Sequence, residues 1–262
     1  MLLECGMVAD NVITKGERIA KVLARSGMCS RREGEIWIAD GRVIVNGTVL
    51  TSPALNVTES DIVLVDNKPI PEFQKTRLWR YHKPPGLVNT NKDPEGRTTI
   101  FEKLPSDLPR VITVGRLDLA SEGLLLLTND GELSRQLELP ETGWTRRYRV
   151  RVNGRVTEKL LASLADGIKI DGVHYGAIQA RLESRQKSNA WLEIGLREGK
   201  NREIRRVMGH LNLQVSRLIR VAYGPFQLGK MARGQVLEVS GNVMRDQISG
   251  LNKRKPRNRP WK

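Results

Sequence analysis

The 262-residue sequence predicts an α+β protein, in which a small helix–helix–hairpin domain precedes a larger domain built around a mainly antiparallel sheet. Two short segments of helical periodicity stand before an Asn-Gly turn, and a Pro-containing polar stretch follows them. The rest of the chain alternates strand-like and helix-like segments without a regular βαβ period. We predict a leader at 1–16, the small domain at 17–70, a linker at 71–77, the larger domain at 78–242 and a basic disordered tail at 243–262.

The small domain is predicted from local signals. Apolar residues at helical spacing between 17 and 27 predict a first helix, which ends at a glycine. Ser30, followed three positions later by Glu33, has the spacing of a capping box and predicts the start of a second helix. Asn46-Gly47 lies between two β-branched runs, a strong hairpin signal, and 61–65 predicts a further strand.

The larger domain is predicted from apolar runs and alternation. Strand candidates are 111–114, 124–128, 147–152 and 190–196, and helix candidates are 158–166 and 201–211. The mixture, without crossover helices between successive strands, favours a largely antiparallel sheet.

The charge of the chain points to a polyanionic partner. Lys and Arg outnumber Asp and Glu by 44 to 29, which gives a formal net charge of +15, and such basic chains commonly bind nucleic acid. No apolar run approaches the length of a membrane-spanning helix, so we expect no membrane partner. Cys5 and Cys29 match no metal-ligand spacing, and the first residues lack the apolar core of a signal peptide. We therefore expect a cytoplasmic protein.

One turn of the larger domain carries a carboxylate beside a guanidinium. Asp118 follows Arg116 within Gly115-Arg-Leu-Asp-Leu-Ala-Ser-Glu-Gly123, and four leucines come next. An ion held next to a buried core needs a partner, because an unpaired buried charge costs several kcal/mol. Taken alone, this pattern indicates a structural ion pair at a strand edge.

The small domain resembles the S4-like RNA-binding domain. The matching segments are Arg18–Ala24, Ser30–Glu33, Ile38–Val43 and Val45–Gly47. Its basic residues gather around the helix pair, and we expect them to contact RNA phosphates. They are Lys21, Arg25, Arg31, Arg32 and Arg42.

Three segments of the larger domain together resemble the pseudouridine synthases that modify ribosomal RNA and carry an S4-like domain in front. They are 115–127 around Asp118, 146–150 around Tyr148, and 198–208, which contains Arg205. The resemblance implies that Asp118 is the catalytic carboxylate, that Tyr148 stacks on the target base, and that Arg205 is the ion-pair partner of Asp118. Four positions depart from the family pattern: Ser121 stands for Thr, Arg146-Arg147 for Lys-Thr, and Glu203 for Gln.

The resemblance also implies the chemistry. Uridine becomes pseudouridine when the bond from nitrogen-1 to the ribose breaks and the base rejoins through carbon-5, with Asp118 acting as nucleophile at carbon-1′ or as base at the 2′ position. We expect Arg116 and Arg202 to bind the substrate RNA and Leu117 and Ile204 to form apolar pocket walls. We expect no cofactor and no metal, since the reaction needs neither.

The substrate predicted for this chain is large-subunit (23S) ribosomal RNA, free or in an assembling ribosomal subunit, and we expect the protein to be a monomer. Three alternatives remain open. One is modification of small-subunit (16S) RNA. A second is a non-catalytic RNA-binding factor for ribosome assembly. A third is an enzyme that exchanges or hydrolyses the base and would release it free.

Overall fold

A computed structural model describes residues 16–249, and the chain divides into two compact units, Met1–Lys75 and Thr76–Lys262. The predicted leader, apart from its last residue, lies outside the described residues, as does the predicted tail beyond residue 249. Each unit has its own apolar core.

The first unit contains two helices and short strands. Its elements are β1 (Glu17–Arg18), α1 (Ile19–Arg25), α2 (Arg31–Ala39), β2 (Val43–Val45), β3 (Thr48–Val49), β4 (Asn56–Val57), β5 (Val63–Val65) and β6 (Lys68–Pro69). One sheet has the order β3-β2-β5-β6, and β1 pairs with β4. The capping box at Ser30 and Glu33 is present with both of its hydrogen bonds. Asn46 and Gly47 adopt φ values of 50° and 80°, as a two-residue hairpin of this type requires.

The second unit is dominated by one large sheet. Its elements are β7 (Leu78–Lys83), β8 (Ile112–Val114), β9 (Glu122–Thr128), α3 (Gly131–Glu138), β10 (Arg146–Asn153), α4 (Glu158–Ala162), β11 (Ile168–Ile170), β12 (Val173–Tyr175), β13 (Gln179–Gln186), β14 (Asn189–Leu196), α5 (Glu203–His210), β15 (Gln214–Tyr223), β16 (Phe226–Gln227), β17 (Val236–Glu238) and α6 (Gly241–Ser249). Short 3₁₀ turns occupy Phe101–Lys103, Pro140–Thr142 and Ser163–Asp166.

The sheet has nine strands, with the order β13-β14-β10-β15-β9-β7-β17, and with β8 and β16 paired to β9 and β15. Every pairing is antiparallel except that between β9 and β15, which is parallel. The predicted mainly antiparallel α+β fold is therefore confirmed. The leucine run of β9 is buried on both faces: Leu125 and Leu127 belong to one apolar cluster, and Leu124 and Leu126 to the other.

Gly123 allows β9 to approach β15 closely. Its φ is +109°, and a Cβ at this position would lie 2.3 Å from the Arg220 carbonyl oxygen and 2.7 Å from the Arg220 amide nitrogen. Only glycine fits such a contact between two backbones. The start of β9, and with it the end of the turn that carries Asp118, is thereby fixed against β15.

The end of the described chain differs from the sequence prediction. Residues 243–249, expected to be part of a disordered tail, belong to α6. The reason is a short apolar stripe: Met244 and Ile248, four positions apart, pack against the core of the second unit. Among the described residues, no helix combines the length and hydropathy needed to cross a membrane.

Candidate active site

A cleft of about 810 Å³ in the second unit opens beside the turn that carries Asp118. Its lining includes Arg97, Arg116, Leu117, Asp118, Ser121, Arg146, Tyr148, Lys200, Arg202, Glu203, Ile204 and Arg220. All the residues that the sequence proposed for this site therefore meet in one cleft, apart from Arg205, which does not line it. The cleft combines a carboxylate, an aromatic ring, apolar walls and several guanidinium groups.

Asp118 lies in the turn 115–121, which connects β8 to β9. At the start of the turn, the Gly115 amide donates to Glu138 Oε1 at 2.8 Å, and at its end the Ser121 amide donates to the Asp118 carbonyl oxygen at 2.9 Å. The Asp118 side chain keeps 32% of its surface exposed. A rigid turn thus presents this carboxylate to a ligand that enters the cleft.

Lys83 supports the same turn from inside the protein. Its side chain is fully buried, and Nζ donates to the carbonyl oxygens of Ser121 at 3.0 Å, Pro84 at 3.1 Å and Asp118 at 3.3 Å. Burial lowers the pKa of this ammonium to about 8, although the carboxylates of Asp118 and Glu122 oppose the shift. Because its hydrogen bonds go to the backbone, Lys83 fixes the turn and leaves the Asp118 side chain open to the cleft.

The predicted ion pair between Arg205 and Asp118 is absent from the described residues. Arg205 instead donates to the carbonyl oxygens of Ala120 at 3.1 Å and Val215 at 3.3 Å. Arg202 is the arginine nearest the carboxylate, with Nη1 3.9 Å from Asp118 Oδ2. The reason is local: the Arg205 guanidinium is engaged by these two carbonyl oxygens, whereas Arg202, which has a left-handed φ of 51° immediately before α5, has its guanidinium within 4 Å of Asp118.

Arg205 still influences Asp118 indirectly. Burial lowers the pKa of its guanidinium, nearby Arg202 lowers it further, and the charge of Asp118 raises it. Its hydrogen bond to Ala120 also restrains the turn two residues beyond Asp118. Arg205 is therefore placed to act through charge and through the backbone of the turn.

Tyr148 forms one wall of the cleft. It lies in β10, opposite Ile194 of β14 and Arg220 of β15, and only 8% of the residue is exposed. Leu117 and Ile204, which are 6% and 5% exposed, supply further apolar lining. A planar base that entered here would meet an aromatic ring and two aliphatic side chains, a combination suited to excluding water.

Two cations at the mouth of the cleft are tied to neighbouring backbone or carboxylate groups. Arg146 donates to the Arg197 carbonyl oxygen at 2.5 Å and to the Tyr223 hydroxyl at 3.0 Å. Lys200 Nζ contacts Glu198 Oε2 at 2.5 Å. These bonds hold the loop that leads into α5 in one position.

The lining of the cleft contains two further arginines, Arg97 and Arg116. Arg97 is bound by Asp93, and these hydrogen bonds lower the pKa of the Asp93 carboxyl to about 2. Arg116 is exposed, and no partner for its side chain occurs among residues 16–249. A free guanidinium at the rim suits an RNA phosphate.

Glu203, where the family pattern has Gln, is a buried carboxyl group of the cleft lining. It accepts a hydrogen bond from the Lys200 amide at 2.9 Å, and burial raises its pKa. This contact closes the turn from Lys200 to Glu203 that leads into α5, and the oxygen of an amide side chain could accept the same hydrogen bond.

The basic residues proposed for the first unit differ in how they are engaged. Lys21 and Arg25 both contact Glu17, at 2.7 and 2.8 Å. Arg42 pairs with Asp66 at 2.6 Å and stacks on Trp37. Arg31 and Arg32 are exposed on α2 and have no ion-pair partner within the described part of the chain. These two arginines are the most available for an external anion.

Two buried cations escaped the sequence reasoning, although a signal was present for each. Lys83 stands on the buried phase of β7, in step with Trp79 and Tyr81. Arg220 interrupts the apolar run of β15 and is only 2% exposed. A cation in the buried phase of a strand demands hydrogen-bond partners and so marks a site.

Within residues 16–249, no group of three or more His, Cys, Asp or Glu side chains could hold a metal ion.

Comparisons with known proteins match both units of the chain to known families. The family model for RNA pseudouridylate synthase matches residues 77–210, and the model for the S4 domain matches residues 17–63. A Rickettsia felis protein named as an uncharacterized RNA pseudouridine synthase is 46% identical over 228 residues, which cover 87% of this chain and 99% of that protein. Ribosomal large subunit pseudouridine synthase B of Pseudomonas aeruginosa is 43% identical, over 86% of this chain and 60% of that protein.

A solved pseudouridylate synthase structure has the same fold. It superposes with a TM-score of 0.61 at 23% identity and covers 88% of this chain and 99% of that structure. The similarity spans most of the chain.

Proposed function

The chain belongs to the RNA pseudouridylate synthase family, and from this premise we propose that it converts a uridine of large-subunit ribosomal RNA into pseudouridine. The observation that carries the proposal is the presence of Asp118, Tyr148 and a set of guanidinium groups around one cleft. Such a site offers a carboxylate for the ribose, a ring for the base and cations for the phosphates.

Asp118 is the catalytic carboxylate of this proposal. It either attacks carbon-1′ of the ribose or removes the 2′ proton, and in both routes the glycosidic bond breaks with its electron pair on the base. Its position supports either role, because the turn is fixed by Lys83 and Glu138 while the side chain remains accessible. Arg202 balances its charge from 3.9 Å.

Tyr148 retains the detached base. The ring is mostly buried, so it can stack on a uracil while neighbouring aliphatic side chains exclude water. Retention matters because the same uracil must rotate and rejoin through carbon-5. Its hydroxyl is available for the proton that leaves carbon-5.

Arg205 serves as a positioning residue. Its hydrogen bond to the Ala120 carbonyl oxygen supports the turn of Asp118, and its buried charge lies near the carboxylate. Arg202 and Arg116 remain candidates for direct contact with the RNA, because both line the cleft with exposed side chains.

The substrate must present an unstacked uridine. A base inside a helix cannot reach a cleft of this kind, so the enzyme acts on a nucleotide that can flip out of its stack. Loops and bulges of RNA make this movement inexpensive. The S4-like unit then docks the RNA through its helix pair, with Arg31 and Arg32 as the leading phosphate contacts.

The choice of large-subunit RNA is supported by the name of the Pseudomonas aeruginosa relative, ribosomal large subunit pseudouridine synthase B, of which this chain spans 60%. Small-subunit RNA is the second candidate substrate. We further propose that the protein acts as a monomer in the cytoplasm, on free RNA or on an assembling ribosomal subunit, and that it needs no cofactor.

A pseudouridine map of ribosomal RNA tests the proposal. Cells that lack this protein are complemented with the wild type or with Asp118→Asn, a nearly isosteric change. We expect one large-subunit site to be lost in the deletion strain and restored only by the wild type. Restoration by Asp118→Asn would contradict the role of this carboxylate, and a site lost from small-subunit RNA would redirect the substrate.

A further inference from the structure

Two buried polar atoms at the cleft lack a hydrogen-bond partner among the described residues. They are Nη2 of Arg220 and Oγ of Ser121, and both residues line the cleft. Arg220 is 2% exposed and Ser121 is 1% exposed. An unsatisfied buried donor costs about 1–3 kcal/mol. Two such groups beside the same cavity therefore indicate a ligand-binding site.

Arg220 is held in a fixed orientation. Nε donates to the Leu124 carbonyl oxygen at 2.7 Å, and Nη1 points to the Arg116 carbonyl oxygen at 3.5 Å. No described carboxylate forms an ion pair with it. The guanidinium therefore has no counterion among the described residues, and its Nη2 remains without a hydrogen-bond partner there.

The two atoms lie next to the catalytic turn. The backbone amide of Ser121 bonds to the carbonyl oxygen of Asp118, and Arg220 is hydrogen-bonded to the carbonyl oxygen of Arg116, two residues before Asp118. Tyr148 is directly opposite Arg220 on the neighbouring strand. Arg220 and Ser121 are thus tied to the two flanks of the carboxylate, beside the ring that would stack on the base.

The chemistry of Arg220 and Ser121 indicates which part of the substrate they bind. A guanidinium donates only, so its partner must be an acceptor oxygen. Phosphates remain hydrated and meet the exposed rim cations such as Arg116, whereas a buried, rigid guanidinium suits the part of the nucleotide that enters the protein. A uracil carbonyl oxygen meets these conditions.

We propose that Arg220, assisted by Ser121, binds the uracil carbonyl oxygen that becomes negative when the base leaves the ribose. The proposal rests on the proposed function. When the bond between carbon-1′ and nitrogen-1 breaks, its electron pair goes to nitrogen-1 and spreads onto the carbonyl oxygens. Carbon-1′ loses this pair, whether Asp118 attacks it directly or removes the 2′ proton. When the base rejoins, carbon-5 supplies the electron pair of the new bond to carbon-1′; in the first route the ester bond between carbon-1′ and Asp118 breaks, and in the second Asp118 returns the proton to the 2′ carbon. Carbon-5 then releases its proton, and nitrogen-1 takes one up.

Arg220 would thus stabilise charge that exists only after the bond begins to break. Donors aimed at developing charge act on the rate more than on binding, and removal of one costs on the order of 100-fold in turnover. We therefore expect Arg220→Gln to lose about 100-fold in single-turnover rate, while its affinity for RNA stays within threefold. Arg220→Lys keeps the charge and should lose less, and Ser121→Ala should lose less than Arg220→Gln.

The decisive comparison uses two RNA substrates that differ only at the target, uridine or 5-fluorouridine. Fluorine withdraws electrons and makes the base a better leaving group, so a missing stabiliser of negative charge should matter less. The measurement is the single-turnover loss of the parent nucleoside with wild type, Arg220→Gln, Arg220→Lys, Ser121→Ala and the surface control Arg155→Gln. The fold-decrease in single-turnover rate caused by Arg220→Gln should be at least fivefold smaller on the 5-fluorouridine RNA than on the uridine RNA.

Equal losses on the two substrates, or a loss confined to RNA binding, would overturn the role of Arg220. If Arg220→Gln does not fold, the same comparison with Arg220→Lys and Ser121→Ala decides the matter. Failure of the proposed function is distinguishable, because the wild type itself would then form no pseudouridine on either ribosomal RNA.

Discussion

Replacement of Gly123 by alanine should damage the site through the backbone. The new Cβ would lie 2.3 Å from the Arg220 carbonyl oxygen, and the φ of +109° is itself unfavourable for alanine. Backbone strain of this kind costs about 1–3 kcal/mol, and overpacking against an immobile backbone costs about 1–3 kcal/mol more. We therefore expect the free energy of unfolding to fall by about 4 kcal/mol.

Gly172→Ala is the matched control, because Gly172 has a φ of +80° and nothing within 4 Å of the position of a Cβ. It should cost only about 1–2 kcal/mol, the conformational part alone. The free energy of unfolding of both variants is measured by urea denaturation. Pseudouridine formation is measured without denaturant, at a temperature where both variants are folded. Equal destabilisation of the two variants would refute the inference that β9 and β15 are in contact through Gly123.

Three further predictions concern the cleft and the first unit. Lys83→Met removes an ammonium whose pKa is lowered by burial from 10.5 to about 8. Between these two pH values the unfolded wild type binds more protons than the folded wild type. The free energy of unfolding of the wild type, relative to that of the variant, should therefore rise by about 3 kcal/mol as the pH increases through this window. Urea titrations at several pH values measure this difference, and a pH-independent difference would contradict it. Tyr148→Phe should retain RNA affinity and more activity than Tyr148→Ala in single-turnover assays, and equal losses would argue against stacking as the main role. Arg31→Gln combined with Arg32→Gln should lower the salt dependence of RNA binding by about one to two phosphate contacts, whereas the control Arg155→Gln should not change it, and an unchanged slope in the double variant would exclude α2 as a docking surface.

The elements with strong local signals were predicted well from the sequence. The capping box at Ser30, the hairpin at Asn46-Gly47 and the leucine run of β9 all occur as expected. β13 was missed because its side chains are mostly exposed and polar, so no apolar alternation marks it as a strand. β15 was missed because arginines interrupt its apolar residues.

The segments proposed for the site meet in one cleft, but the contacts between their side chains differ from those expected. The left-handed φ of Arg202 cannot be inferred from its residue type, and neither can the contact with Asp118 that Arg202 makes in place of Arg205. The bonds of Arg220 depend on two residues about a hundred positions away, Leu124 and Arg116. Such long-range pairings follow from strand register, which local sequence patterns leave undetermined.

The most direct test of the central claim uses the purified protein and a fragment of large-subunit RNA labelled with tritium at carbon-5 of uridine. Isomerisation releases this label because carbon-5 forms the new bond to the ribose. We predict that tritium release equals pseudouridine formation, with no free uracil, and that Asp118→Asn abolishes both while it still binds the RNA. Release of free uracil, or turnover by Asp118→Asn within tenfold of the wild type, would contradict the account.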